Sequence, residues 1–153
     1  MIIIQDTREQ LPLNFRLSRN VEAVVRKKLD TGDYSIEGFE DRIACERKSG
    51  IDLFGTLGKG HKRFKKELER ALKMDYFCIL VEESFDSIYT KSFDNAHRSK
   101  MRGDVIIKIC LTLKFKYGID VIFCNGRKES AMIIRNLFMA YLKQNGTTNT
   151  DPK

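Results

Sequence analysis

The chain has 153 residues, 42% of them hydrophobic and 32% charged, with 28 Lys and Arg against 21 Asp and Glu for a net charge of +7. That length buries a core without disulfide or metal staples, and no apolar run approaches the ~18 residues that cross a bilayer, so a stapled miniprotein and a membrane span are both excluded. The basic excess, with a pI near 9.3, suits a polyanionic partner. Residues 1–5 read as a buried strand and lack the basic lead of a signal peptide. Residues 6–18, with Pro12, read as a loop, and Asn20 is placed to cap a helix over 21–29. Tyr34-Ser35-Ile36-Glu37 and Arg42-Ile43-Ala44-Cys45-Glu46 alternate apolar and polar around turn chemistry at 38–41, which predicts an antiparallel hairpin. A short helix is expected over 49–57, with Gly58 and Gly60 freeing the chain to turn, then a helix over 61–74 with Phe64, Leu68, Ala71 and Leu72 on one face. A strand over 76–81 and a polar, irregular stretch over 84–99 follow, then a helix over 103–117, a strand over 119–124 and a helix over 127–143. Residues 1–143 thus form one domain with no repeat, and 144–153 read as a disordered polar tail. Strands alternating with helices predict an α/β sandwich with a mixed central sheet.

Four cysteines (Cys45, Cys78, Cys110, Cys124) are widely spaced, sit in apolar segments and lack metal-ligand spacing, so they read as reduced core residues of an intracellular protein. The chemistry concentrates at the hairpin. Strand side chains alternate between faces, so Glu46 and Lys48 share one and Arg47 points away, while Asp33 opens the first strand opposite Glu46. Two acids hold a hard dication, and a lysine beside them positions the attacking water or stabilises developing charge, as metal-assisted phosphodiester hydrolysis requires. Alone, Asp33 reads as a turn residue after Gly32, and Lys48 as a salt-bridge partner of Glu46 or Asp52. Glu46, inside an apolar strand, needs a partner. Asp52, one turn into the following helix, reads as an anchor for Lys48 or Arg47. Between Lys59 and Arg70 six cations face two anions, and Lys59, His61, Lys62, Arg63, Lys65 and Lys66 read as phosphate contacts, although such a run alone reads as a solvated helix face. With two histidines, a nuclease relying on a histidine base is disfavoured, and no phosphate-cradling Gly-Lys-Ser/Thr ending occurs.

Asp6-Thr7-Arg8-Glu9, then Gly32-Asp33-Tyr34, then Glu46-Arg47-Lys48 with Asp52, in that order and spacing, resemble the motif series of the XPF-type structure-specific endonucleases. So does Tyr117-Gly118-Ile119-Asp120-Val121-Ile122-Phe123 before a helix. The resemblance implies a restriction-endonuclease-like fold and a Mg²⁺-dependent DNA endonuclease, with Mn²⁺ substituting, acting on branched, flap or fork DNA. It implies Asp33, Glu46 and the Arg47 main-chain carbonyl as metal ligands, with Asp6 reaching the metal through water or serving a second ion and Glu9 orienting a water. Arg8 contacts the scissile phosphate or holds Asp6 and Glu9. It also implies a homodimer or heterodimer through the helices at 103–117 and 127–143. On the first of these, Ile107, Leu111 and Phe115 form a second apolar stripe, which packs either on the final helix or on another subunit. The basic helix departs from the family in placing Glu67 where a glutamine is expected, and the chain is too short for tandem helix-hairpin-helix modules. Two alternatives remain: a nuclease without structure preference, and a non-catalytic DNA-binding or scaffolding subunit of a nuclease heterodimer.

Overall fold

The computed structural model describes residues 1–15, 19–91 and 101–145. Parts of the loop expected at 6–18, of the irregular stretch at 84–99 (with His97) and of the tail lie outside the described residues. Six strands, β1 (Ile2–Gln5), β2 (Ala23–Arg26), β3 (Tyr34–Ile36), β4 (Ile43–Lys48), β5 (Tyr76–Val81) and β6 (Asp120–Phe123), form one sheet ordered β2-β1-β3-β4-β5-β6. The helices are α1 (Gly50–Leu57), α2 (His61–Ala71), α3 (Phe85–Tyr89), α4 (Gly103–Tyr117) and α5 (Arg127–Asn145). This is the mixed α/β architecture expected of a restriction-endonuclease-like domain.

β3 is antiparallel to both neighbours, and every other pairing is parallel. Five strands therefore run one way and β3 alone runs against them. Their carboxyl ends gather at one end of the sheet, which is where open α/β sheets hold their ligands. The same reversal brings the start of β3, preceded by Asp33, to that end. The hairpin registers Tyr34 with Cys45 and Ser35 with Ala44, so Asp33 falls opposite Glu46.

Each face of the sheet carries its own core. On one side Ala44, Ile79 and Val81 pack with α1, α2 and α4 through Leu53, Phe54, Phe64, Leu68, Ile106 and Cys110. On the other, Ile43, Cys45, Cys78 and Leu80 pack with α5 through Ile134, Phe138 and Tyr141. The four cysteines are buried and none forms a disulfide. Ser49 accepts the Asp52 backbone N–H and caps α1, a bond that stabilises a helix start by about 1 kcal/mol. Gly118, at φ 68°, ends α4 in the left-handed conformation that a side chain resists.

Three expectations are corrected. The helix expected at 21–29 is the edge strand β2: Asn20 takes a turn conformation at φ 74°, and Ala23 to Arg26 pair residue by residue with β1. Two adjacent valines favour the pleat, and pairing with a buried neighbour outweighs a marginal helix signal. Residues 144 and 145, assigned to the tail, extend α5. The stripe on α4 does not pack on α5, because the two helices lie on opposite faces of the sheet: Ile107 is buried in the first core, whereas Leu111 is 59% and Phe115 91% exposed.

Candidate active site

An open cleft of about 1160 Å³ occupies the carboxyl end of the sheet, and Asp33, Glu46, Arg47 and Lys48 line it with residues of α1 and α2. Gly32 makes the entry to β3 possible: its φ is 79°, and a Cβ there would stand 2.9 Å from the Ala44 Cβ. The tight approach carries Asp33 onto the end of β4, where its Oδ2 accepts the Arg47 backbone N–H at 2.7 Å. Lys48 Nζ donates to Glu46 Oε1 at 2.9 Å, and its ammonium lies 5.7 Å from the centre of the Phe64 ring on α2. The Cys45 carbonyl accepts the Asp33 N–H on the β3 side, and the Lys48 carbonyl accepts the Glu82 N–H on the β5 side. Carbonyl directions alternate along a strand, so the Arg47 carbonyl points to the β3 side, beyond the last registered pair of the hairpin.

Burial and the nearby Glu46 push the Asp33 carboxyl up to about 7, although the Arg47 N–H pulls the other way. Burial alone would lower the Lys48 ammonium, but the charge and hydrogen bond of Glu46, with Glu67 and Asp33 behind it, raise it above its ordinary value. Arg47 leaves by the opposite strand face. Its guanidinium bonds Glu82 through two nitrogens at 2.9 and 2.8 Å, and its Nη1 bonds Glu9 Oε2 and the Leu11 carbonyl, each at 2.8 Å. That clamp joins the ends of β4 and β5 to the segment after β1.

The ERCC4 domain model matches residues 5–137, most of the chain. The chain belongs to the ERCC4 domain family. Among solved structures it is similar to XPF from Aeropyrum pernix, with a TM-score of 0.74 and 24% identity over 100% of this chain and 67% of that one. XPF from Aeropyrum pernix in complex with DNA gives a TM-score of 0.69 and 25% identity over 94% of this chain and 66% of that one. No curated protein matches significantly. ERCC4-domain family members are nucleases, in general dependent on a divalent metal, and the fold here is that of the XPF nuclease domain.

The donor set fits such an ion. Two carboxylates and an outward carbonyl offer oxygen alone, which Mg²⁺ and Mn²⁺ prefer, and waters complete the octahedron. Among the described residues no three Asp, Glu, His or Cys side chains form a metal-holding group, so an ion bound there would draw on main chain and solvent as well.

Other residues of the ERCC4 motifs stand differently from expectation. Asp6 is 1% exposed and turned away from the cleft: its carboxylate accepts the Arg8 N–H at 2.8 Å, Arg8 Nε at 2.7 Å and the Leu29 N–H at 2.6 Å. Burial works against its charge, but these bonds hold the carboxyl below its ordinary value. Asp6 thus ties the segment after β1 to Arg8 and Leu29. Arg8 holds Asp6 and the Leu29 carbonyl, not Glu9. Glu9 lines the cleft and accepts from Arg47 and from the Leu11 N–H. Asp52 anchors neither Lys48 nor Arg47; it bonds Ser49 and closes the α1 cap.

Among the basic residues, Arg63 and Lys66 line the cleft with Arg70, while Lys59, His61, Lys62 and Lys65 stand exposed outside it. Two acids went unassigned by sequence reasoning. Glu82 follows directly on the apolar run of β5, a position that alternation and parallel topology mark as a strand end. Glu67 stands on α2 and lines the same cleft as Glu46.

Proposed function

We propose that this ERCC4-domain chain is a Mg²⁺-dependent DNA endonuclease, with Mn²⁺ able to substitute, that cuts branched, flap or fork DNA. The observation that carries this reading is the convergence of Asp33, Glu46 and Lys48 on one cleft beside an outward Arg47 carbonyl. Asp33, Glu46 and that carbonyl would hold the ion, which when bound supplies Lewis-acid activation of the scissile phosphate and of water. Lys48, held protonated by its carboxylate neighbours, faces the phosphate and offsets charge developing on its oxygens. Water adds to phosphorus, the bond to the 3′ oxygen breaks, and the products carry a 5′-phosphate and a 3′-hydroxyl. The water's proton passes to solvent and the leaving oxygen takes one up. Arg63, Lys66 and Arg70 place cations along the cleft wall, and Lys59 before α2 with His61, Lys62 and Lys65 on it extend that charge outside the cleft for flanking phosphates.

The chain spans about two thirds of the A. pernix XPF chains, and XPF from that organism has been captured with DNA. A second copy of this chain, or a related chain, is proposed to cover Leu111 and Phe115 on α4, where a surface helix packed beside the edge strand β6 exposes large apolar side chains. Four thiols outside disulfides suit a reducing, intracellular compartment.

Cleavage of labelled flap, fork and linear DNA with and without Mg²⁺ tests the function. Cutting is expected on flap or fork DNA only with the cation. Glu46→Ala and Lys48→Ala should each lower the rate at least about a hundredfold while DNA binding persists. Equal cutting of linear and branched DNA would make it a nuclease without structure preference. Binding without cutting would make it a scaffolding subunit.

A further inference from the structure

A group of exposed aromatic rings stands beside the cleft, and hydrolysis as described gives it no part. The register leads to it from Lys48, which pairs with Val81 of β5, as Val81 pairs with Phe123 of β6. All three side chains share the sheet face that carries α1, α2 and α4: Val81 and Phe123 pack in that core, and the Lys48 ammonium lies 5.7 Å from the Phe64 ring. Neighbouring strands are about 4.8 Å apart, so Phe123 stands roughly 10 Å from Lys48, about three base steps of a nucleic-acid strand. The Phe85 ring of α3 meets the Phe123 ring edge-on at 5.7 Å and 88°, and the Tyr89 ring stacks on Phe85 at 5.8 Å and 11°. Phe85 and Tyr89, one turn apart, share a helix face and remain 47% and 51% exposed. α3 itself is firmly seated. Ser84 caps it by accepting the Ser87 N–H at 3.1 Å, Ile88 is buried, and Gly103 at the start of α4 leaves no room for a Cβ against the Ile88 carbonyl.

Two half-exposed rings offer on the order of 200 Å² of surface, far below the ~800 Å² per partner of a stable protein interface, but a size that suits the face of one base. Asp86 stands exposed beside Phe85, and Glu83 is paired with Lys91, which disfavours a phosphate on the rings and leaves them to a neutral, flat group. Next to a cleft walled by Arg63, Lys66 and Arg70, an unpaired base is such a group. Resting on the DNA-cleaving function proposed above, we propose that Phe85 and Tyr89 form a stacking platform for an unpaired base within about three nucleotides of the scissile phosphate. Every base has a ring face, so the platform selects a single-stranded arm and not a sequence. Paired bases are already stacked inside the duplex and present no face to it.

The test is binding of labelled oligothymidylate, of an abasic strand of equal length and of a blunt duplex to the cation-free full chain. Wild type is expected to hold the thymidylate at least about fivefold tighter than the abasic strand. Phe85→Ala and Tyr89→Leu, the second of which keeps apolar bulk without a ring, should each lower thymidylate affinity at least about fivefold and leave the other two ligands as in wild type. Tyr89→Trp should match or exceed wild type. Equal binding of thymidylate and abasic strands, or unchanged thymidylate binding by Tyr89→Leu, overturns the platform while the nuclease reading stands. Loss of all three ligands by Tyr89→Leu marks a merely structural ring and also overturns it. Altered sedimentation with unchanged thymidylate binding makes the rings a contact between copies instead. If wild type binds none of the three ligands, the DNA reading falls and the proposal falls with it.

Discussion

Asp33 carries an electrostatic cost as a carboxylate, set by its burial and by the nearby Glu46. An acid whose folded pKa is raised binds its proton more tightly when folded, so its stabilising contribution is full below the unfolded value and is lost as pH rises. For Asp33 that window runs from 3.8 to about 7. In cation-free buffer, Asp33→Asn should match wild type near pH 4 and exceed it by on the order of 2 kcal/mol above pH 7 in urea unfolding. A wild type that gains on the variant as pH rises would mean that the carboxylate is ion-paired and not desolvated. Asp33, Glu46 and Lys48 were legible because a hairpin fixes which side chains share a face, and alternation needs no tertiary information. Asp6 was not. Its motif position says nothing about direction, and the Leu29 donor that joins Arg8 on its carboxylate comes from the chain folding back.

At the scale of elements, the Arg47 clamp holds β4, β5 and the segment after β1 together at the rim of the cleft. Arg47 is 8%, Glu9 11% and Glu82 13% exposed at their side chains, so removing the guanidinium leaves two half-desolvated acids facing each other. Arg47→Ala should cost about 3 kcal/mol in chemical unfolding, well above an exposed ion pair. A loss under 0.5 kcal/mol, the size of a surface substitution, would make the clamp incidental. α2 divides its work. Its apolar stripe was plain from periodicity, but which of its cations face the cleft depends on how the helix rolls on the sheet. If Lys59, Lys62 and Lys66 meet phosphates, changing all three to Gln should flatten the salt dependence of DNA binding by about 0.9 per contact. An unchanged slope would remove α2 from the interface. β2 shows the limit of local reading: four exposed residues with a weak helix signal become a strand because β1 offers them an unsatisfied edge.

The whole molecule is organised by the direction of its strands. One strand reversed against five others brings the hairpin's acids to the end where the others finish, and separate cores on the two faces leave that end open. Strand and helix alternation made the layered sheet legible, but the placement of α4 and α5 on opposite faces was not, because an apolar stripe does not say which face of a sheet it covers. That placement leaves Phe115 91% exposed. Phe115→Glu should convert a dimer to a monomer in sedimentation at micromolar concentration without lowering the melting temperature of the monomer. An unchanged sedimentation coefficient would leave the face without a partner. The central claim is that Asp33 and Glu46 share one divalent ion, and the most direct measurement is anomalous diffraction from Mn²⁺-soaked crystals. A single strong peak within about 2.3 Å of both carboxylates and of the Arg47 carbonyl is expected. Saturating Mn²⁺ with no peak there, or with the ion held elsewhere in the cleft, would contradict it.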